Sequence, residues 1–269
     1  MSISKESRRV ALVTGASGAI GMAIARGIAA EPGWEVVLVC RDRGRGERCA
    51  ERIAKDTGNP RVRCEPADLS RQRTIRALEE GWKGPLHLLV NYAAVAPRHL
   101  THTPEGIELQ FATNVLGYFW MTEAFIPRLG QHPGGRVVNV ASYWAGGLDF
   151  GDLEFGKRRY DNGVAYRQSK QADRMLTVAF ADRFESLGIR VNACHPGDVN
   201  STLSNQLGFG GHQTPEEGAD TPVWLALGEA GGRHTGGYFE HRRPIACPFA
   251  RDRQNIEALY AACQSYNSE

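Results

Sequence analysis

The sequence predicts an α/β fold, a single doubly wound parallel sheet with helices on both faces, and three observations carry that expectation. A glycine-spaced turn, TGASGAIG at 14–21, joins the apolar run Val10, Ala11, Leu12, Val13 to a helix-like stretch over 22–30. The run WEVVLVC at 34–40 is nearly continuous in apolar and β-branched residues, as expected of a parallel strand buried on both faces. Short apolar runs then alternate with amphipathic segments to the end of the chain, a βαβ order that requires parallel pairing with right-handed crossovers.

A chain of 269 residues can bury a large core, and no repeat, low-complexity tract or linker divides it, so one domain over 1–269 is expected. Lysine and arginine total 32 against 30 acidic residues, a net charge of +2 with no basic run, which argues against a nucleic-acid or anionic-membrane partner. The six cysteines, Cys40, Cys49, Cys64, Cys194, Cys247 and Cys263, show no CxxC pair and no metal-ligand spacing with histidine; they read as reduced, mostly buried thiols of a cytoplasmic protein. The polar start MSISKESRR has no signal-peptide character, and no segment reaches the roughly 18 to 20 apolar residues of a membrane span.

The turn at 14–21 sits where a strand feeds a helix, so backbone N–H groups and the positive end of a helix dipole can face a pyrophosphate. Gly15 allows the tight turn, Ser17 and Gly18 keep the approach open, and Gly21 lets the helix pack closely. Any tight strand-to-helix turn also favours glycine, so the turn alone does not establish a dinucleotide site. The strand at 34–40 ends in Cys40, Arg41, Asp42, Arg43. An acid at the end of this strand suits the ribose hydroxyls of NAD, and a basic residue suits a 2′-phosphate, so Arg41 and Arg43 favour NADP(H) over NAD(H) while Asp42 argues the other way. Both arginines also fit the start of a solvated helix.

That helix spans about 44–56, followed by a strand at 61–65 and by Asp68 and Leu69. Asp68 reads as the N-cap of a helix over 70–81, or as a contact to an adenine ring. A fourth strand at 86–90 runs into Asn91, Tyr92, Ala93, Ala94, small enough in part for a cofactor to cross the strand ends. Apolar residues from Ile107 to Leu129 recur at spacings of three and four, marking a long amphipathic helix with Asn114 inside it. Asn114 fits a satisfied core amide as well as a functional one. The fifth strand, 136–141, delivers Ser142 at its carboxyl end, where open α/β sheets bind ligands.

An irregular insertion at about 143–163 carries Trp144, Phe150, Phe155 and Tyr160, which either line an apolar pocket or anchor the loop. A helix over 164–187 follows, with Tyr166 and Lys170 four residues apart on one face. The sixth strand, 189–194, leads to His195, Pro196, Gly197; TPEE at 214–217 opens a helix with a capping box; a strand near 237–240 and a helix over about 252–262 complete the alternation.

Asn114, Ser142, Tyr166 and Lys170, if they converge, form a proton-transfer set. A carbonyl accepting hydride develops negative charge on oxygen, which needs a hydrogen-bond donor and then a proton. A phenol is a weak acid, and a neighbouring ammonium favours its phenolate. Lys170 would supply that charge and hold a nicotinamide ribose, Ser142 would orient the carbonyl oxygen, and Asn114 would hold a water between Lys170 and solvent.

TGASGAIG, the DL pair at Asp68 and Leu69, FATNVLGYF around Asn114, GGRVVNVAS ending in Ser142, AYRQSK holding Tyr166 and Lys170, and HPGDV at 195–199 together resemble the short-chain dehydrogenase/reductase family over nearly the whole chain. The resemblance implies a Rossmann fold with Ser142, Tyr166 and Lys170 catalytic and Asn114 supporting them. It implies a cofactor site made by Gly15, Ser17, Ile20, Gly21, Arg41, Asp68, Leu69, Asn91 and Ala93, with Tyr166 and Lys170 at the ribose. Pro196, Gly197, Val199 and also Ser201 would hold the nicotinamide carboxamide. The stretches DLEFGKRRYD and TPEEGADTPVWLAL are similar to retinol dehydrogenases and NADPH carbonyl reductases of that family. Two features depart from the pattern: NYAA at 91–94 stands where the family has NNAG, and TGASGAIG also fits the spacing of the extended branch that acts on nucleotide sugars.

The expectation is therefore an NADP(H)-dependent oxidoreductase acting on a small, largely apolar ketone, aldehyde or alcohol, with no metal. A nucleotide-sugar epimerase or dehydratase and a non-catalytic dinucleotide sensor are the alternatives. The family builds dimers or tetramers from its two long helices, a surface that the insertion before Tyr166 could block, so the sequence leaves a homo-oligomer open.

Overall fold

The computed structural model describes residues 8–267. The polar start discussed above lies, for residues 1–7, outside the described residues. The elements run β1 (Arg9–Thr14), α1 (Ala19–Ala29), β2 (Trp34–Cys40), α2 (Arg43–Thr57), β3 (Val62–Pro66), α3 (Gln72–Gly81) and β4 (Leu88–Asn91). A π-helical turn, Phe111–Leu116, continues into α4 (Gly117–Leu129), and β5 (Arg136–Val140), α5 (Asn162–Phe184), β6 (Arg190–Cys194) and α6 (Thr202–Gln206) follow. The chain ends with α7 (Pro215–Leu227), α8 (Glu229–Arg233), β7 (Tyr238–Glu240), β8 (Arg243–Ile245) and α9 (Arg253–Gln264).

The eight strands among the described residues form one sheet in the order β3-β2-β1-β4-β5-β6-β7-β8. The first seven are parallel and β8 is antiparallel to β7. Because successive residues of a strand face opposite ways, the sheet feeds two cores. Val10, Leu12, Val37, Leu89 and Val137 pack under α3, α4, α5 and α9; Ala11, Val13, Val36, Leu88 and Val138 pack under α1, α2 and α7. Every residue of β2 is buried, Glu35 included, as its nearly continuous apolar run predicts. The chain order reverses between β1 and β4, which opens the crevice at their carboxyl ends where the glycine turn lies.

The structure adds elements and moves some boundaries. The 107–129 helix starts at 109, and its first full turn, around Asn114, is π-helical. Asp68 is not the N-cap of α3, which is Arg71; its carboxylate accepts instead from the Ser70 N–H at 3.1 Å and the Ser70 hydroxyl at 2.7 Å, bracing the turn before the helix. β8 and the short α6 and α8 have no counterpart in the sequence pattern. The six cysteines are free, with Cys40, Cys194 and Cys263 buried and the others half-buried. Among the described residues no helix is long and apolar enough to cross a membrane, and no group of His, Cys, Asp and Glu could hold a metal ion.

Candidate active site

Two cavities meet along the carboxyl edge of the sheet. A groove of about 620 Å³ is lined by Gly15, Ser17, Gly18, Arg41, Arg45, Asp68, Leu69 and Ala93. A cavity of about 380 Å³ is lined by Ile20, Ser142, Tyr166, Lys170, Pro196, Gly197 and Val199. Tyr92, Ala94, Ser201 and Leu203 line both, so the two are continuous.

The groove fits the phosphate half of a dinucleotide. Gly15 has φ +66°, and a Cβ there would lie 2.8 Å from Ala93 Cα; a Cβ on Gly21 would lie 2.5 Å from the Gly15 carbonyl oxygen and 2.7 Å from Tyr92 Cδ1. Both glycines are required by backbone and close approach. The N-cap of α1, Gly18, offers no side-chain hydrogen bond, so the first N–H groups of the helix stay free to face an anion beside the cradle. Tyr92, the residue that departs from the family pattern, fills the floor with its ring against Gly15 and Gly21.

The end of β2 divides its three charges. Arg41 lines the groove, whereas Arg43 turns away and lies 3.7 Å from Glu47. Asp42 caps α2 by accepting from the Arg45 N–H at 2.7 Å. Arg45, which the sequence did not single out, lines the groove and donates through Nη2 to the Ser17 carbonyl at 3.0 Å.

At the other end, α5 and the end of β5 bring three predicted residues together. The Ser142 Oγ accepts from the Trp144 N–H at 3.1 Å, and the Ser142 carbonyl accepts from the buried Arg174 guanidinium. Burial pushes the Tyr166 phenol well above its ordinary pKa; a hydrogen bond with Ser142 pulls it back, and Tyr92 and Asp173 add to the rise. The Lys170 Nζ donates to Asp173 Oδ2 at 2.8 Å and to the Val140 carbonyl at 3.2 Å, and stands 5.8 Å from the Tyr166 ring centroid.

Three predicted residues line neither cavity, and the first, Gly21, packs beneath the turn against the Gly15 carbonyl and the Tyr92 ring. Asn114 is fully buried in the π-helical turn: its Oδ1 accepts from the Val95 N–H at 2.8 Å, and its Nδ2 donates to the Val95 carbonyl at 3.0 Å and the Ser169 hydroxyl at 3.2 Å. The amide thus clamps the segment after β4 that floors the groove. Asn91 donates to Thr122 and Asn139 beneath the sheet edge and lines neither cavity with its side chain. Gly197 has φ +106° and leaves room for Gln213, whose Oε1 accepts from the Asp198 N–H at 2.6 Å. Ser201 caps α6, its hydroxyl accepting from the Ser204 N–H at 3.1 Å, so that hydroxyl is already engaged.

The aromatic residues of the insertion divide between the two roles. Trp144 lines the cavity, in edge contact with Phe209 at 5.8 Å. Phe155 is buried and packs on Tyr160 at 5.3 Å, while the Tyr160 hydroxyl donates to the Pro97 carbonyl; these two anchor the loop. Phe150 is exposed. The rest of the apolar wall is Tyr143, which opens the insertion, together with Leu203, Leu207 and Phe209, which the sequence did not single out. Three of those four come from the segment around α6, whose only sequence signals are the Ser201 cap and the glycines at 208, 210 and 211. His195 also lines the cavity; burial, with His241 and Arg174 nearby, holds its imidazole down to about 3, so it is neutral at working pH.

The model of the short chain dehydrogenase family matches residues 9–208. Human (Homo sapiens) retinol dehydrogenase 12 is 35% identical over 267 residues, covering 94% of this chain and 84% of the relative. A solved structure from Mycobacterium Paratuberculosis superposes with a TM-score of 0.82 at 26% identity, covering 96% of this chain and 93% of that one. The Pseudomonas aeruginosa RhlG/NADP active-site complex superposes with a TM-score of 0.68 at 27% identity, covering 87% and 94%. With its motifs in order, its sheet topology and these likenesses in agreement, the chain is an oxidoreductase-fold protein that belongs to the short chain dehydrogenase family.

Proposed function

We propose that the chain is an NADP(H)-dependent oxidoreductase that interconverts a largely apolar ketone or aldehyde and its alcohol. The observation that carries this reading is the convergence of Ser142, Tyr166 and Lys170 on one cavity wall, continuous with the glycine-turn groove. Gly15, Ser17 and Ala93 on one side, with Gly21 packed beneath the turn, and Ile20, Pro196, Gly197 and Val199 on the other would hold a nicotinamide cofactor, which when bound would supply the hydride. Tyr166 gives its phenolic proton to the carbonyl oxygen as charge develops there, or takes one from the alcohol in the reverse direction. Ser142 donates to the same oxygen and fixes its position. Lys170 has one ammonium donor left after Asp173 and Val140, enough to hold a ribose hydroxyl. Asn114 steadies the groove floor through Val95.

Preference for the 2′-phosphate rests on Arg41 and Arg45 at the groove, on the use of Asp42 as a helix cap, and on Cys40 standing where a ribose-binding acid would be. The NADP named in the RhlG complex is consistent with it. The apolar substrate class rests on Trp144, Leu203, Leu207 and Phe209. A cytoplasmic setting belongs to the same proposal and rests on the six free thiols.

Titration with NADPH and NADH, followed by a carbonyl screen with the tighter cofactor, tests the reading. NADPH should bind more tightly, apolar carbonyls should be reduced with stoichiometric loss of NADPH, and Tyr166→Phe should lower kcat by about 10²–10⁴-fold while binding NADPH normally. Preference for NADH, reduction of small charged keto acids alone, or turnover without net NADPH loss would overturn the corresponding part.

A further inference from the structure

We propose that Asp173 is a positioning residue that holds the Lys170 ammonium and sets the pH at which Tyr166 exchanges its proton. This rests on the reading of Tyr166 as the proton-transfer group. Residues 166, 170 and 173 follow one another at spacings of four and three, so they share a face of α5. The Asp173 carboxylate is 1% exposed, and Oδ2 lies 2.8 Å from Lys170 Nζ. Its other oxygen, Oδ1, has no hydrogen-bond partner among the described residues. A carboxylate buried with one oxygen unsatisfied is a costly way to tether a lysine, and a neutral amide would offer the same acceptor. What the carboxylate adds is charge.

That charge acts on the phenol against the ammonium. A cation beside Tyr166 favours the phenolate, and an anion beside the cation cancels much of that effect. Arg174, next along α5, is a buried guanidinium bonded to the Ser142 carbonyl and brings a positive charge from that side; the remaining groups around the pair contribute little charge. Tyr92, from the segment after β4, and Tyr118 of α4 are both pushed up by burial and stay neutral. Ser142 faces the phenol from the end of β5 and His195 lies neutral across the cavity. Cys194 of β6 and Cys263 of α9, the latter facing Asp173, are thiols raised by burial. While those tyrosines and thiols stay neutral and Arg174 holds a fixed charge, the part of the field at Tyr166 that changes with pH comes from the Lys170–Asp173 pair. Burial raises the Asp173 carboxyl to about 6 against the pull of Lys170, so above that pH the ammonium is largely neutralised.

Asp173→Asn keeps the shape and an acceptor for Lys170 while removing the charge. In the cofactor-free protein, the phenolate absorbance of Tyr166, isolated as the difference from the matching Tyr166→Phe protein, should develop at a pH lower by about one unit or more than in the unsubstituted chain. The alkaline limb of the kcat/KM profile should move in the same direction. Asp173→Ser removes the same charge with a smaller side chain and is read in the same way. If neither variant folds, the unsubstituted protein labelled with ¹³C at tyrosine Cζ carries the test: the Tyr166 signal should show an inflection near pH 6 as Asp173 protonates. An unchanged phenol titration in a folded variant, or no such inflection, overturns the proposal. Because these readings need neither cofactor nor substrate, they are separable from the activity of Tyr166→Phe, which tests the underlying reading.

Discussion

Gly21 and Arg174 show how single positions hold the site, one by lacking a side chain and the other by burying a charge. A methyl group on Gly21 would sit 2.5 Å from the Gly15 carbonyl oxygen, and Gly15 is itself pinned against Ala93. Gly21→Ala should therefore displace the turn, cost about 1–3 kcal/mol of stability by overpacking and weaken NADPH binding at least about tenfold, as thermal unfolding and a fluorescence titration would show. Retained affinity would mean that the turn does not carry the pyrophosphate. Arg174 is a buried guanidinium stacked 3.5 Å from the Tyr238 ring centroid and bonded to the Ser142 carbonyl. Arg174→Met should destabilise the fold by about 1–3 kcal/mol and, by freeing the Ser142 backbone, lower kcat more than it weakens NADPH binding. Equal effects on both would assign it to packing alone. Ser142, Tyr166 and Lys170 could be read from the sequence because strand ends and helical spacing encode them. Asp173 and Arg174 could not, since charged residues on a helix read as a solvated face until burial is known; Arg45 is indeed exposed, and only the fold places it beside Ser17 at the groove.

At the scale of an element, the start of the Asn114 helix marks where periodicity stops being informative. Apolar spacings of three and four suit the whole stretch up to Leu129, yet six residues of it are π-helical, and a local widening by one residue per turn leaves that pattern almost unchanged. The hairpin joining β7 to β8 was hidden for a related reason: its two turn residues, His241 and Arg242, have φ of 46° and 59°, without the glycine or asparagine that advertises such a turn. Glu108 caps the helix, accepting from the Gln110 N–H at 2.8 Å and the Phe111 N–H at 2.6 Å. Burial nevertheless raises its carboxyl from 4.5 to about 7, with Glu154 adding to the rise. A carboxyl raised by folding stabilises the native state fully below its unfolded pKa and loses that contribution as pH climbs through the folded value. Stability should therefore fall between about pH 4.5 and 7. In Glu108→Gln this part of the slope should vanish, a relative change on the order of 2–3 kcal/mol by pH 8 in denaturant titrations. Parallel curves for the two proteins would show that the carboxyl titrates as a solvated group.

At the scale of the whole molecule, the outer face of the two long helices is the surface that the sequence left open to a homo-oligomer. The family resemblance implied association through these helices unless the insertion before Tyr166 blocked them, and part of that face is packed within the chain itself. Ile256, Leu259, Tyr260 and Cys263 of α9 join the core cluster that contains Phe119, Phe125, Met175 and Phe180. Tyr260 sits 5.2 Å from the Phe119 ring and 5.8 Å from Phe180, with the Arg183 guanidinium 3.6 Å from its centroid and its hydroxyl donating to Glu123. Tyr266 then reaches across to the insertion, donating to Glu154 at 2.5 Å, while Leu148 and Leu153 pack on the same core from the other side. Sequence alone shows a terminal helix over about 252–262 and the insertion as an irregular loop, without saying that they converge on one surface. With that surface closed, light scattering should give a single species at the chain mass of 29.5 kDa. Ile256→Asp places a charge in the α9 seam and should cost about 3–5 kcal/mol, because Ile256 is fully buried in the apolar core cluster. Lifting α9 would expose the apolar face of α4 and α5, so the variant should associate or aggregate as concentration rises. A stable dimer of the unsubstituted chain, or an Ile256→Asp protein that stays monomeric and folded, would place the closing contacts elsewhere.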